Sequence, residues 1–470
     1  MNQEDPNIKR PPSVDRLLKE TQTSSIPRLL RKRLIQDLLH QWRQGEMEPA
    51  TSSVEERIQS HLKTFEKHKL TSTINATGIV LHTNLGRAPF DQDLPRHLIN
   101  QITGYNNLEF DLSSGKRGKR GIYVEKALAV LSGSESATVV NNCAAALILI
   151  LNTCKSKTRR EVLVSRSELV QIGGGFRIPE ILESAGLQLK EIGTTNRTHL
   201  DDYKKSISEE TALILKVHQS NFYMEGFVES VSVPELAQLA RDKNLPLAVD
   251  LGSGALIDTK SRFSIDEETT PANIIQQGAD MVCYSGDKLM AGPQAGIIAG
   301  KADWIRRLKS NPFFRALRPD KLALCALEFT VQKHLESTND PESKALPDLP
   351  AYFLLNQTTD ELRKRAENIK RTATSNEASL KVVETVSEIG GGTMPRTRME
   401  SIALVMNWPH VKPDLLARCF RELQPPILGY VHQGNFHLNL RTVFPDQDET
   451  LSAHIRQVEE KLTQMPSGKS

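Results

Sequence analysis

Lys288 has the sequence surroundings that best suit covalent chemistry in this chain of 470 residues. It follows Ser285-Gly286-Asp287 and precedes a turn rich in glycine and proline. Glycines let a backbone approach a ligand closely, and a partly buried lysine has a lowered pKa that favours Schiff-base formation. A solvated lysine in a polar loop would have a similar sequence, so this stretch alone leaves both interpretations open.

Two other places in the chain carry residues that suit the same kind of cofactor. The run Asn142-Cys143-Ala144 opens a predicted helix, where free N–H groups and the helix dipole favour a phosphate. Asp250 ends a predicted strand and could keep a pyridinium nitrogen protonated, the condition that makes pyridoxal 5'-phosphate an electron sink. The order phosphate loop, acid, then Ser285 and Lys288 predicts a pyridoxal phosphate site. The alternatives are a turn residue at Asn142, a helix cap at Asp250 and a strand-end hydroxyl at Ser285.

The elements that must position these residues lie between about residues 120 and 300. Apolar runs alternate there with helix-like stretches such as Cys143–Thr153 and Val233–Lys243, which predicts a mainly parallel sheet with helices on both faces. Ligands bind at the carboxyl ends of such strands, where the candidates above fall, and His218 follows another strand as a further cofactor contact. The predicted strands are Ala137–Val140, Glu161–Val164, Gln188–Ile192, Ala212–Val217, Leu247–Val249, Met281–Tyr284 and Ala295–Ala299.

The rest of the chain suggests two further domains around a cofactor domain at residues 71–336. Residues 1–70 have a helical pattern, and their basic run Arg28, Arg31, Lys32 and Arg33 could contact phosphates or could equally be a solvated helix face. Residues 337–470 read as a connector, one charged helix at 355–372, and mixed strands and helices of a smaller α+β domain.

Several classes of protein receive no support from the sequence. No apolar run approaches the eighteen residues of a membrane span, and the N-terminus lacks the apolar stretch of a signal peptide, so we expect no membrane partner. The five cysteines form no CxxC pair, which predicts reduced thiols in a cytoplasmic protein. No HExxH motif or zinc-like His/Cys spacing is present, so we predict no metal site. A net charge of +3 does not identify a partner.

A series of distinctive motifs runs along nearly the whole chain: PPSVDRLL, INATGIVLHTNLGRAP, SRSELVQIGGGFRIP, EIGTTNRTHLDDY, KVHQSNF, AVDLGSGAL, SGDKLMAGPQAGII, NPFFRALRPDK and HLNLRTV. These motifs resemble those of the bacterial L-seryl-tRNA(Sec) selenium transferases, or selenocysteine synthases. The resemblance implies a fold-type-I pyridoxal phosphate enzyme that replaces the serine hydroxyl of seryl-tRNA(Sec) with selenium from selenophosphate, through an aminoacrylyl-tRNA intermediate. It also implies a homo-oligomer built as a ring of dimers, such as a decamer, and a tRNA-binding role for residues 1–70.

The resemblance also assigns roles to individual residues. Lys288 would hold the cofactor and then take the α-proton of serine, while Asp250 would keep the ring electron-poor. Arg87, Arg315 and Arg318 would bind the anionic selenium donor. From the residues alone, the last two could also be surface partners of nearby acids. The cofactor phosphate would be surrounded by Asn142, Cys143, Ala144 and Ser285.

Three positions depart from the family pattern. Cys143 stands where a third asparagine is common, Ala291 replaces a common glycine, and Tyr430 follows Gly429 where an arginine is expected. None of these removes a predicted catalytic group.

Two alternatives stay open on the sequence. A related pyridoxal enzyme could act as a lyase on a small amino acid, but such an enzyme has no need of a separate N-terminal tRNA module. A non-catalytic tRNA-binding protein could retain the fold, but the presence of both Asp250 and Lys288 speaks against it.

Overall fold

The computed structural model describes residues 12–44, 53–172, 175–337, 346–373, 380–408 and 410–464. The chain divides into two compact units. The first comprises residues up to 74 together with 424–426, and the second comprises residues 75–423 and 427 onward. Apart from residues 71–74 and 424–426, the predicted cofactor domain and the predicted C-terminal domain therefore belong to one compact unit.

The helices of the described residues are numbered along the chain. They are α1 Val14–Glu20, α2 Arg28–Arg43, α3 Val54–Glu66, α4 Leu94–Ile102, α5 Ile122–Leu131, α6 Cys143–Cys154, α7 Ile178–Ser184, α8 Leu200–Ser206, α9 Val233–Asp242, α10 Thr259–Phe263, α11 Pro271–Gln276, α12 Ala302–Ser310, α13 Pro312–Ala316, α14 Lys321–Ser337, α15 Pro350–Asn356, α16 Thr359–Ala373, α17 Pro413–Arg421 and α18 Asp448–Thr463. None of them combines the length and apolarity that crossing a lipid bilayer requires.

The first unit is a three-helix cluster formed by α1, α2 and α3. Its buried side chains include Leu17, Ile35 and Ile58, one from each helix. The α3 helix begins with a capping box, in which Ser53 and Glu56 satisfy each other's backbone N–H groups. This local signal and the apolar spacing explain why the helices could be predicted from the sequence.

Arg31 differs from its predicted position on a basic face of α2. Its side chain is buried, and Nη1 donates hydrogen bonds to the carbonyl oxygens of Thr21 and Ser24 at 2.8 and 3.4 Å. The guanidinium therefore supports the loop between α1 and α2. Arg28, Lys32 and Arg33 remain exposed, so the basic surface of this helix is smaller than the sequence suggested.

The second unit is built on a seven-stranded sheet that contains all seven predicted strands. Its spatial order is β1-β7-β6-β5-β4-β2-β3. All strands run in one direction except β7, which pairs antiparallel with β1 and β6. The prediction of a mainly parallel sheet is thus confirmed. The strands are β1 Ser136–Val140, β2 Glu161–Ser165, β3 Gln188–Ile192, β4 Thr211–Val217, β5 Leu247–Gly252, β6 Met281–Ser285 and β7 Gly296–Gly300.

Helices cover both faces of this sheet, which explains why its strands are apolar at nearly every position. Val162 and Val164 of β2 pack in the core that includes α6, α7 and α12. Leu163, between them, packs in the opposite core with α5, α9 and α14. A strand buried on both sides reads as a continuous apolar run, and this was the signal that located the strands in the sequence.

A second sheet of four strands, with order β8-β9-β11-β10, is antiparallel throughout. Its strands are β8 Leu380–Glu388, β9 Arg398–Met406, β10 Tyr430–His432 and β11 Asn435–Asn439. The charged helix predicted at 355–372 is confirmed from Thr359 onward, but its predicted start is four residues too early. The chain forms α15 and α16 with a break at 357–358, because Thr358 and Glu361 form a capping box that starts a new helix.

Gly296 sets the distance between β7 and the start of α6. A β-carbon added at this position would overlap the carbonyl oxygen of Asn142 and crowd the N–H of Cys143. Because β7 pairs with β1 at Val140, the strand that leads into α6 and the glycine that faces its N-terminus are held together. Only glycine permits this close approach.

Gly296→Ala should lower the free energy of unfolding by about 1–3 kcal/mol, since overpacking a dense core typically costs that much. The added methyl group has backbone atoms as neighbours, which cannot move aside as a flexible side chain can. Urea unfolding monitored by circular dichroism measures the change.

Gly104→Ala is the matched control, because a β-carbon there has no heavy atom within 4 Å. This variant should stay within about 0.5 kcal/mol of the unsubstituted protein. Equal losses in the two variants would contradict the packing explanation.

Candidate active site

Lys288 lies in the turn between β6 and β7 and is 3% exposed. Its Nζ donates a hydrogen bond to the carbonyl oxygen of Gly392 at 3.3 Å. Burial lowers the pKa of the amine below its usual value, and the positive charge of Arg87 lowers it further, while the charges of Asp250 and Asp287 oppose the shift. A lowered pKa increases the neutral, nucleophilic fraction of the amine at neutral pH.

Asp250, on β5, is the buried acid of the same pocket and is 6% exposed. Burial raises the pKa of its carboxyl group, and the charge of Lys288 partly offsets that rise. The thiols of Cys143 and Cys283 donate to its Oδ1, each at 3.7 Å. A desolvated carboxylate of this kind is stabilised by a cationic partner, which a protonated pyridine nitrogen would provide.

Asp250 and the two cysteines also form the group of side chains that most resembles a metal site among the described residues. One ligand atom from each of Cys143, Asp250 and Cys283 lies within 4.8 Å of the others. Such a donor set could suit a soft divalent cation. The cofactor interpretation explains more, because it also accounts for the buried Lys288 and for the helix N-terminus beside it.

The N-terminus of α6 supplies backbone donors next to this carboxylate. Asn142 is the N-cap residue, and its Oδ1 accepts from the N–H of Ala145 at 2.8 Å. The N–H groups of Cys143 and Ala144 have no recorded partner among the described residues, so they are available to an anion. Cys143 thus offers its backbone toward a phosphate and its side chain toward Asp250.

Ser285 and His218 lie at the ends of the two strands that flank β5. Ser285 ends β6 and is buried, with no recorded hydrogen bond to its hydroxyl among the described residues. The backbone N–H of His218 donates to the carbonyl oxygen of Asp250 at 2.8 Å, and its Nε2 lies 3.1 Å from Oε1 of Glu268. Both residues therefore lie at strand ends on the same edge of the sheet as Asp250.

Arg87 reaches the pocket from a loop far away in the sequence. Gly86 and Arg87 both have positive φ angles, 88° and 64°. Nη1 of Arg87 donates to both carboxylate oxygens of Asp287 at 3.0 and 2.9 Å. Since Asp287 precedes Lys288, this ion pair fixes a guanidinium next to the lysine. The left-handed backbone conformation is energetically unfavourable for a non-glycine residue, and the residues that adopt it cluster at functional sites.

Arg315 and Arg318 do not join this group within the chain. Arg318 pairs with Glu109 at 3.5 Å and lines a separate cavity of about 280 Å³ with Arg117 and Arg120. Arg315, on α13, is exposed. The link to the pocket is indirect, because the carbonyl oxygen of Leu317 accepts from the N–H of Asn141 at 3.0 Å.

Four residues of the pocket were not named as site residues from the sequence: Cys283, Asp287, Glu268 and Gly392. Asp287 carried a visible signal, since it lies beside Lys288. Gly392 carried none, because it follows β8 more than a hundred residues later. It belongs to a run of three glycines, 390 to 392, with φ angles of 78°, 65° and 74°.

Two departures from the family pattern differ in how well the local structure accommodates them. Ala291 is buried with a φ angle of 58°, a conformation that suits glycine better than alanine. Tyr430 contacts Thr385 through its hydroxyl at 3.0 Å and stacks on His437, so it supports the second sheet.

Several buried polar atoms of the pocket lack hydrogen-bond partners, as expected of a pocket that binds a polar ligand such as pyridoxal phosphate. Ser253 Oγ, Thr393 Oγ1 and Asn221 Oδ1 are buried and have no hydrogen-bond partner among the described residues. They adjoin Gly252 and Gly392, where an added β-carbon would approach Nζ of Lys288 to within 4 Å. Buried polar atoms are normally paired, so this concentration around one amine indicates a site for a polar ligand.

The family model described as L-seryl-tRNA selenium transferase matches residues 73–444. Curated relatives described as L-seryl-tRNA(Sec) selenium transferase include one from Haemophilus influenzae, 40% identical over 448 residues, which covers 92% of this chain and 95% of the relative. Another, from Geobacter sulfurreducens, is 39% identical over 416 residues, covering 88% of each chain. A third, from Carboxydothermus hydrogenoformans, is 42% identical over 376 residues, or 80% of this chain and 79% of the relative.

Among solved structures, the chain is similar to D-glucosaminate-6-phosphate ammonia-lyase, with a TM-score of 0.58. The sequence identity is 20%, and the match covers 85% of this chain and 99% of that one. At this identity the likeness concerns the fold. The predicted fold type I of pyridoxal phosphate enzymes is confirmed.

Lys288→Ala should abolish the violet absorption that pyridoxal phosphate gives when it is bound covalently to a lysine, because no other amine in the chain is expected to replace Nζ. In the unsubstituted protein, attachment should persist at pH values where an ordinary lysine is protonated, since burial lowers the pKa of this amine and leaves more of it neutral. Absorption spectra recorded across a pH series check both expectations.

Lys243→Ala, at an exposed position after α9, is the control and should keep the full absorption. An unchanged spectrum in Lys288→Ala would show that the assigned lysine is not the attachment point.

Proposed function

This chain belongs to the L-seryl-tRNA selenium transferase family, and we propose that it converts seryl-tRNA(Sec) into selenocysteinyl-tRNA(Sec) with selenophosphate as the selenium donor. The observation that carries the proposal is the buried amine of Lys288 beside the buried carboxyl of Asp250. In the overall reaction the serine Cβ–O bond and the phosphorus–selenium bond break. A Cβ–Se bond forms, and the oxygen and phosphorus leave together as inorganic phosphate.

The proposed cofactor is pyridoxal 5'-phosphate, and the residues of the pocket suit each part of it. Lys288 would hold its aldehyde carbon, Asp250 its ring nitrogen, and the N–H groups of Cys143 and Ala144 its phosphate, with Ser285 as a further donor. When bound, this cofactor acts as an electron sink that acidifies the α-hydrogen of serine and promotes loss of the β-hydroxyl group.

Lys288 has a second task, which is to move a proton at the α-carbon of serine. Burial lowers the pKa of this amine and so increases its neutral fraction, which can accept the α-proton and later return it. Asp250 would keep a proton at the ring nitrogen of the cofactor, and the hydrogen bonds from Cys143 and Cys283 to Oδ1 orient its carboxylate. His218, at the end of the neighbouring strand β4, would be a further contact of the cofactor.

Arg87 is the proposed binding residue for the anionic selenium donor. Its recorded side-chain hydrogen bonds within the described residues use Nη1 alone, on Asp287, which leaves Nε and Nη2 for an oxyanion. Arg315 and Arg318 remain candidates for the same role. Because they lie apart from Lys288 within the chain, that role requires a second copy of the chain to bring them to the pocket.

A homo-oligomer, which we expect to be a ring of dimers, receives support from exposed apolar side chains on neighbouring elements. An apolar surface of this kind is typical of a protein interface. The side chains lie on α4, on α5, on the segment between them and on α13 and α14, and include Ile99, Tyr105, Phe110, Ile122, Tyr123, Phe313 and Leu322.

The first unit is the proposed tRNA-binding domain. Its α2 helix exposes Arg28 and Lys32 beside the 82% exposed side chain of Leu29, a combination that suits an RNA backbone and a base or sugar surface. The five cysteines are free thiols, which supports the proposed cytoplasmic location.

Incubation of the purified protein with pyridoxal phosphate, seryl-tRNA(Sec) and selenophosphate should yield selenocysteinyl-tRNA(Sec). The aminoacyl product, hydrolysed from the tRNA and identified by mass spectrometry, reports the conversion directly. Free L-serine in place of the charged tRNA separates this proposal from that of a small-molecule lyase, because a lyase would consume it.

In the same assay, arginine variants distinguish loss of the serine hydroxyl from incorporation of selenium. Arg87→Met should slow selenium incorporation by about tenfold or more while loss of the serine hydroxyl continues, since removing a charge-assisted hydrogen bond costs about 1.5–3 kcal/mol. Arg315→Met and Arg318→Met, assayed alongside, show whether they share the role. An equal loss in both half-reactions would contradict donor binding by the substituted residue.

Removal of residues 1–70 should abolish most of the affinity for tRNA(Sec) while the violet absorption of the cofactor persists. The reason is that the first unit and the unit containing Lys288 are separately compact. Fluorescence anisotropy with labelled tRNA measures the affinity, and Lys32→Glu in the full chain tests the same surface without truncation. Unchanged affinity in both proteins would overturn the assignment of this unit.

A further inference from the structure

A cavity of about 570 Å³ in the second unit adjoins the Lys288 pocket. One wall consists of the segment after β4, from His218 to Met224, and another of residues 394 to 397. His218 also contacts Asp250 through its backbone, and Met394 lies two residues beyond Gly392, which accepts from Lys288. The cavity thus borders the surroundings of Lys288 at two places, through His218 on one wall and Met394 on the other.

The cavity carries a flat recognition surface formed by Tyr223 and Arg396. The guanidinium carbon of Arg396 lies 4.6 Å from the centre of the Tyr223 ring, and Glu225 forms an ion pair with the same guanidinium. Tyr223 is 52% exposed, so a large part of its ring is free to receive another flat group. Aromatic rings and arginine planes are the surfaces on which proteins stack unpaired bases.

The inner part of the cavity is acidic rather than basic. Lys216 is paired with Glu168 at 2.8 Å, which neutralises its charge. Glu268 is 6% exposed, and its Oε1 has no hydrogen-bond donor besides the ring nitrogen of His218 at 3.1 Å. Carboxylate oxygens accept from hydroxyl and amino groups and repel phosphates. The interior thus favours an uncharged, donor-rich ligand.

We propose that this cavity binds the 3'-terminal adenosine of the charged tRNA, with its base on Tyr223 and Arg396 and its ribose near Glu268. The assignment rests on the proposed function, in which serine is an ester of that ribose. The nucleoside must then lie close to Lys288, the residue proposed to move the α-proton of that serine. The volume of the cavity is consistent with a bound nucleoside, since pockets of about 300–1,000 Å³ hold small-molecule ligands.

The test compares Tyr223→Ala with Tyr223→Phe in the holoenzyme. The probe is 3'-amino-3'-deoxyadenosine carrying serine through an amide, which cannot lose its nucleoside by hydrolysis. Tyr223→Ala should weaken probe binding, and raise the KM for seryl-tRNA(Sec), by roughly 5- to 150-fold, the range expected for loss of one base–aromatic stack. Tyr223→Phe keeps the ring and should stay within about twofold of the unsubstituted protein, since the stacking surface is retained.

Phe227→Ala is the matched surface control, because Phe227 is another exposed aromatic residue of the same segment and lies outside the cavity. It should bind the probe like the unsubstituted protein. Equal binding by Tyr223→Ala and the unsubstituted protein would overturn the inference. So would a uniform loss in all three variants, which would indicate a general disturbance of the segment.

The outcomes also separate this inference from the proposed function. If the protein converts seryl-tRNA(Sec) but does not bind the probe, the adenosine site is wrong and the function stands. If it binds the probe in a manner that depends on Tyr223 but converts no seryl-tRNA(Sec), the nucleoside site stands and the function is wrong. Failure of both binding and conversion would remove both.

Discussion

Two ionisable groups, Lys288 and Asp250, are buried at the carboxyl ends of the central strands of the seven-stranded sheet. The arrangement of the surrounding residues depends on the burial of these two groups. Removal from water disfavours the charged form of each, so the pKa of the lysine falls and that of the aspartate rises. Among the described residues, the amine of Lys288 has one hydrogen-bond acceptor and the carboxyl of Asp250 has two thiol donors, both on Oδ1. Buried charge without compensation is costly, and a ligand with a carbonyl carbon for the amine and a cationic ring nitrogen for the acid would relieve that cost.

The charged groups around this pair are themselves matched, which keeps the pocket specific. Arg87 is held by Asp287, His218 faces Glu268, and Lys216 is paired with Glu168. The Arg87–Asp287 pair lies beside Lys288, and the other two pairs line the neighbouring cavity. The guanidinium of Arg87 is the arginine charge that acts on Lys288, whereas the buried carboxyl groups of Glu168 and Glu268 line the neighbouring cavity.

Local signals made the sheet and its strand ends predictable from the sequence. Strands such as Leu247–Gly252 are buried on both faces and appear as apolar runs, and Lys288 and Asp250 follow such runs directly. Properties that depend on distant contacts could not be predicted in this way. The burial of Arg31 depends on the carbonyl groups of a neighbouring loop, and the role of Glu268 depends on an approach to His218 across fifty residues of sequence.

The hydrogen bond from Lys288 to Gly392 has a consequence for how the protein is made. The lysine and most of its pocket are encoded before residue 300, but the three-glycine turn that accepts from its amine follows almost a hundred residues later. On the ribosome, an emerging chain therefore exposes the lysine before its covering wall exists. The contact between Lys288 and Gly392 can form only after the chain has been translated beyond residue 392, so this side of the pocket is completed late in synthesis.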